Sequence, residues 1–302
     1  MKNTIIYYYG IEIEDYRKRG KKIIFIDKEH KNEYEFSEYY DDVTKLINLY
    51  SLLKYNDKLT YEIILNKNRE IITYFENKPY ILLKKNKDRV KHRIELDDLL
   101  NKKILLNIKP SIDWKKLWKQ KIEYYENYFD EIKLKYPLIK ESSSYYFGMS
   151  ELAINLLNYV NYSNINYTIC HKRIVRQDDL YNPLNILIDN RMRDISEFIK
   201  INYMDNNLTS TEILNFIDNN YFSKDESLLL LSRLIYPSYY FDMCEKICFY
   251  DEKEDKIITA QYETLKDAFA HVEDDFDGRE GYYTITFIKD MKISEDMVVP
   301  SF

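Results

Sequence analysis

At Trp114 the apolar pattern of this chain changes period, and that change limits what the chain can fold into. Trp114, Leu117, Trp118, Ile122, Tyr125, Phe129 and Ile132 fall at offsets 0, 3, 4, 8, 11, 15 and 18, one continuous helical face. Before it, apolar residues come in short β-prone runs at residues 4–9, 22–26, 61–65, 70–75 and 79–84. Between the second and third runs, Tyr39, Val43, Leu46, Tyr50 and Leu53 repeat at offsets 0, 4, 7, 11 and 14. They predict a helix over residues 38–54 with Ser37 as its N-cap.

The helical character persists after Trp114. A second helix is predicted over residues 150–160. Thr209-x-x-Glu212 and Ser223-x-x-Glu226 are capping boxes ahead of apolar runs. They start helices near 210–219 and 225–235, and Pro237 ends the second. Residues 257–260 and 281–288 read as strands flanking a helix over 262–271. The chain is therefore α+β, strands first and helices after.

With 302 residues there is room for one large domain or two lobes with a real core. Hydrophobic content of 45% against 32% charged excludes a disordered chain. The 31 Tyr are spread throughout, so runs such as Tyr7-Tyr8-Tyr9 carry no binding signal. Residues 251–296 hold 14 Asp/Glu against 6 Lys/Arg, whereas the rest of the chain holds 39 Lys/Arg against 37 Asp/Glu. Such a balance gives no electrostatic footprint for nucleic acid. Three cysteines are too few for a disulfide scaffold. Cys244 and Cys248 lie one helical turn apart without the further ligands a zinc site needs. Asp274-Asp275-Phe276-Asp277-Gly278 lacks the spacing and closing Glu of a calcium loop. The run from Leu228 to Leu231 meets Arg233 too soon to span a membrane. No secretory apolar region follows Met1, which predicts a cytosolic protein.

Residues 84–93 are basic, and a connection between two lobes is expected just after Lys85. Asn77-Lys78-Pro79-Tyr80-Ile81-Leu82-Leu83-Lys84 looks like a last N-lobe strand entering a hinge. Trp114 to Tyr125 looks like a Trp-rich helix after it. Ile169-Cys170-His171-Lys172-Arg173 looks like a degenerate catalytic loop. Arg193-Asp194-Ile195-Ser196-Glu197-Phe198-Ile199 looks like the helix start behind that loop. Leu231 to Phe241 looks like a late C-lobe helix. In that order, these pieces resemble the kinase-like spore-coat proteins of endospore-forming bacteria. Those are similar to aminoglycoside and choline phosphotransferases. The resemblance covers roughly residues 1–250.

It implies a two-lobed protein-kinase-like (aminoglycoside phosphotransferase-like) fold with three segments. Residues 1–85 form an N-lobe with a small sheet and one helix, 86–250 a mainly helical C-lobe, and 251–302 an acidic extension. It also says where the chemistry is missing. A kinase-like enzyme needs an aspartate two residues after the loop histidine to accept the substrate's proton. That place holds Arg173, a cation that cannot act as a base. No phosphate-cradling glycine-rich loop is present, because only Gly10 and Gly20 fall in the region. Asp27, beside Lys28, stands where such folds place the nucleotide lysine, and Leu83 lies at the hinge. Asn185 (or Asn182) and Asp189 occupy the metal-ligand places, but Asp189 stands only five residues before Asp194. His171 is expected to hold the loop by hydrogen bonds, and Asp194 to accept loop amide hydrogens from a buried position.

The resemblance thus implies a non-catalytic, pseudokinase protein of the spore coat or its assembly, working through other coat proteins. It would be made in the mother-cell cytoplasm and need no cofactor. Two alternatives stay open. One is a divergent small-molecule phosphotransferase using ATP and Mg²⁺, with Asp178, Asp179 or Asp189 as an unorthodox base. The other is a nucleotide- or anion-binding module without turnover.

Overall fold

The computed structural model describes residues 1–55, 60–86, 95–100, 109–132, 137–174, 182–204, 207–238, 240–242 and 244. Calls on residues 251–302, including the acidic extension and its strand-helix-strand reading, lie outside the described residues, as does Cys248. The chain divides into two compact units. One joins Met1–Asp98 to Ile169–Ile188, and the other joins Leu99–Thr168 to the described residues from Asp189 onward.

The first unit opens with a helix, α1 (Lys2–Tyr9), where the sequence predicted a strand. Its Thr-Ile-Ile-Tyr-Tyr-Tyr composition is β-prone, but Gly10 ends it in the left-handed region at φ 66° and donates its amide to Ile6. The strands are β1 (Ile13–Arg19), β2 (Lys22–Asp27), β3 (Glu33–Glu38), β4 (Tyr61–Ile64), β5 (Ile72–Phe75) and β6 (Lys78–Lys85). They form one antiparallel sheet in the order β1-β2-β3-β6-β4, with β5 following β4 along the same side of β6. β1 is an edge strand burying only Ile13, so it shows no apolar alternation to betray it in sequence. Helix α2 (Val43–Tyr55) lies between β3 and β4. It starts five residues later than predicted. Ser37 lies inside β3 with its hydroxyl on Glu35, while Asp42 takes the cap and accepts the amides of Thr44 and Lys45.

β6 explains why this sheet is stable. Tyr80, Ile81, Leu82 and Leu83 are all buried, because both faces of the strand are covered. Tyr80 and Leu82 join Ile5 of α1 with Ile23, Phe25 and Phe36. Ile81 and Leu83 join Leu46 of α2 with Tyr61. Phe36 stacks on Tyr80 at 4.5 Å between ring centroids. The sheet is therefore packed between α1 and α2. The strands β7 (Thr168–His171) and β8 (Ile186–Asp189) form a separate two-stranded sheet.

The second unit is helical. α3 (Leu96–Leu100) leads into it, followed by α4 (Trp114–Ile132), α5 (Pro137–Leu156), α6 (Met192–Met204), α7 (Ser210–Asp218) and α8 (Lys224–Ile235). α4 buries Trp118, Ile122 and Tyr125 along the predicted stripe. Trp118 stacks on Tyr236 at 4.2 Å and Tyr125 on Phe241 at 4.4 Å. α5 begins at Pro137, well before the predicted Ser150, with proline at the helix start where its missing N–H costs nothing. Both capping boxes form, with the Thr209 and Ser223 side chains accepting the amides of Glu212 and Glu226. α8 stops at Ile235, two residues ahead of Pro237. Among the described residues, no helix is long and apolar enough to cross a membrane.

Candidate functional site

In the first unit a cavity of about 450 Å³ gathers residues from distant parts of the chain, among them Lys21, Lys22, Glu38, Asp41, Lys172 and Arg173. Its roof is the β1–β2 hairpin. Arg19 pairs with Lys22, so Gly20 and Lys21 alone make the turn, with Gly20 at φ 58°. A turn this tight closes on itself and presents no extended run of amides to a phosphate. The third strand of such a sheet is where kinases carry the nucleotide lysine. Here β3 carries Glu35, buried, accepting a hydrogen bond from Ser37 and paired at 2.9 Å with Lys22 from the neighbouring strand. α2 contains no acidic residue with which a β3 lysine could pair.

The floor comes from the β7–β8 segment. His171 is wholly buried at the end of β7. Two residues on, Arg173 is fixed through its backbone: its amide donates to Asn185 Oδ1 at 3.2 Å, and its carbonyl accepts from Asn185 Nδ2 at 2.8 Å. Asn182 shapes the turn ahead of β8 by accepting the amide of Leu184. Lys172 reaches Asp41 at 3.2 Å, an exposed pair of small energetic value.

The three residues expected near a nucleotide do not line this cavity. Asp27 is buried at the end of β2, where its carboxylate accepts the amides of His30 and Asn32 and the Asn32 side chain, closing the β2–β3 turn. Burial alone would raise its pKa, but those hydrogen bonds bring it below the ordinary carboxylate value. Lys28 pairs with Glu12 at the surface. Leu83 is wholly buried against Leu46 and Tyr61. No apolar run in the sequence marks β3 (Glu33–Glu38), so the lysine's place is read there onto β2, the second strand by sequence and by structure, which ends at Asp27.

Asp189 and Asp194 belong to the second unit. Asp194 is wholly buried in the first turn of α6. Asp189 is also buried; its Oδ2 accepts Trp114 Nε1 at 2.5 Å and Arg233 Nη2 at 2.8 Å, and its Oδ1 accepts the amide of Asn190. The Arg193 and Arg233 guanidiniums lie 4.3 and 4.8 Å from the Trp114 ring centroid. Burial, then the like charge of Arg233, lowers the Arg193 pKa. Four residues separated by up to 119 places in sequence meet here, and no local pattern announces them. Asn185 precedes β8 and Asp189 is its last residue, four residues on, about 13 Å at 3.3 Å per residue. From the end of β8 only Asn190 and Arg191 lead to α6, which begins at Met192.

Residues 2–275 match the family described as spore coat putative kinase YutH. The chain belongs to that family. An aminoglycoside phosphotransferase from Alicyclobacillus acidocaldarius subsp. acidocaldarius DSM 446 superposes with a TM-score of 0.58 at 10% identity, covering 97% of this chain and 96% of that one. A spectinomycin phosphotransferase, APH(9)-Ia, solved with ADP and its antibiotic, gives 0.55 at 8% identity, covering 96% and 97%. At such identities the likeness shows the fold: aminoglycoside phosphotransferase-like, with a small antiparallel N-lobe sheet and a helical C-terminal region. A search of curated proteins by sequence finds no match.

Proposed function

We propose that this member of the spore coat putative kinase family is a pseudokinase, acting in the coat or its assembly through contacts with other coat proteins rather than by phosphoryl transfer. The observation that carries this is Arg173. It stands two residues past the loop histidine, its backbone clamped on both sides by the Asn185 side chain. A guanidinium there cannot accept the substrate proton, and Asn185 spends its amide on the loop.

Three further features point the same way. The β1–β2 turn is two residues long, β3 carries Glu35 in place of a lysine, and α2 has no acid. Asn185 and Asp189 are too far apart along β8 to grip one magnesium ion together. Family membership supports the coat setting.

A second reading has an observation of its own. Lys21, Lys22, Lys172 and Arg173 line one cavity with only Glu38 and Asp41 as acids, which suits an anion or nucleotide held without turnover. Thermal melting with ATP and Mg²⁺, followed by an assay for ADP, separates the readings. No change in melting temperature supports the pseudokinase acting by protein contacts, since a ligand that binds the folded state raises it by mass action. A rise without ADP favours the binding module. A rise with ADP production overturns both and restores the divergent phosphotransferase.

A further inference from the structure

The second unit contains a cavity that the proposed function does not use. Its volume is about 440 Å³, within the range of small-molecule sites. The walls are apolar and aromatic: Trp114, Trp118, Leu157, Ile165 and Leu229. Tyr162 and Tyr167 stand at its edge. The hydroxyl of Tyr162, its pKa raised by burial, lies within electrostatic range of Arg233, Asp113 and Asp189.

Arg233 gives the cavity its chemistry. It is 5% exposed and lines the cavity. Among the described residues the one acceptor its guanidinium meets is Asp189, through Nη2 alone. Among the described residues no hydrogen bond engages its other N–H donors, and Arg233 lines the cavity that an acceptor would enter. The acids there are already engaged. Asp189 accepts from Trp114, Arg233 and Asn190, and Asp113, on the exposed rim, caps α4 by accepting the amide of Lys116. Lys109 and Lys115 leave the rim with a cationic excess. The open polar capacity is thus donor capacity beside flat aromatic walls. A cation finds no open buried carboxylate, whereas an anion finds a guanidinium fork already oriented by Asp189.

We infer that this cavity binds a small organic acid: a carboxylate on an aromatic or branched apolar body, the carboxylate on Arg233 and the body between Trp118, Ile165 and Leu229. The same chemistry is found in a free acid and in the last residue of a peptide.

The chain has two tryptophans, and both line the cavity, so intrinsic tryptophan emission reports directly on occupancy. The probes are phenylacetate, its uncharged analogue 2-phenylethanol, and N-acetylphenylalanine as a peptide end. A saturable emission change is expected with phenylacetate, about tenfold or more stronger than with 2-phenylethanol. Tighter binding of N-acetylphenylalanine would assign the site to a chain end, and weaker binding to a free acid. Arg233→Lys keeps the charge but removes the fork and should weaken phenylacetate about tenfold. Should that buried variant not fold, Tyr162→Ala at the exposed rim should weaken it several-fold. The inference is overturned by no saturable change up to about 10 mM phenylacetate, by equal responses to the acid and the alcohol, or by unaltered binding in a folded Tyr162→Ala.

Discussion

Asp189→Asn removes one charge from the buried cluster of the second unit and changes almost nothing else. The asparagine oxygen can still accept Trp114 Nε1, so the hydrogen bond seen at 2.5 Å has a replacement. What disappears is the one carboxylate bonded to Arg233 among the described residues, leaving Arg233 and Arg193 over the same indole ring without it. Asp189 and Arg233 are each 5% exposed, so water screens this loss poorly. Removing one partner of a buried pair costs about 3–5 kcal/mol. Against a total stability of about 5–15 kcal/mol, that is a loss of a hundredfold or more in the folded-to-unfolded ratio. Urea unfolding followed by tryptophan emission measures it, because both tryptophans belong to this unit. Adding Arg233→Met takes away the stranded cation, so the double variant should be no less stable than Asp189→Asn alone. A single variant within about 0.5 kcal/mol of the parent refutes the reasoning. So do two single losses that simply add in the double variant.

Two further outcomes follow from local structure. Thr209→Ala breaks the capping box of α7 and should cost about 1 kcal/mol by chemical denaturation, whereas Thr209→Ser should cost little. Burial first, then the nearby Arg233 and Arg193, lowers the Lys200 pKa to about 8, while its Nζ donates to the Tyr236 carbonyl. The protonated form is the one the fold disfavours, so the penalty is complete below about pH 8 and disappears as pH rises toward the unfolded value near 10.4. Relative to Lys200→Met, the parent should gain about 1 kcal/mol between pH 8 and 9, and a flat difference would remove Lys200 as the cause.

What could be read from sequence was whatever one element decides alone. The α4 stripe and both capping boxes are contained within a few turns, and they appear where predicted. Residues 4–9 misled because side-chain propensity argued for a strand while the deciding signal, a left-handed Gly10 closing a helix, lay in one residue. β1 was invisible because an edge strand with six exposed residues has no reason to alternate. β3, Glu-Tyr-Glu-Phe-Ser-Glu, is hidden in the same way by its acidic residues, while the structure places Asp27 at the end of β2 and Asp194 in the first turn of α6. The grouping of Trp114, Asp189, Arg193 and Arg233 depends on packing between three helices and a strand end, which a linear pattern does not encode.

The two-residue step from β8 into α6 limits what substitution alone can change in this chain. Exchanging Arg173 for aspartate is one codon's work. The connection from Asp189 to Asp194, which the resemblance implies is longer in phosphotransferases of this fold, is here reduced to Asn190 and Arg191 ahead of α6. A longer connection there would require inserted residues, which no substitution at Asn190 or Arg191 supplies.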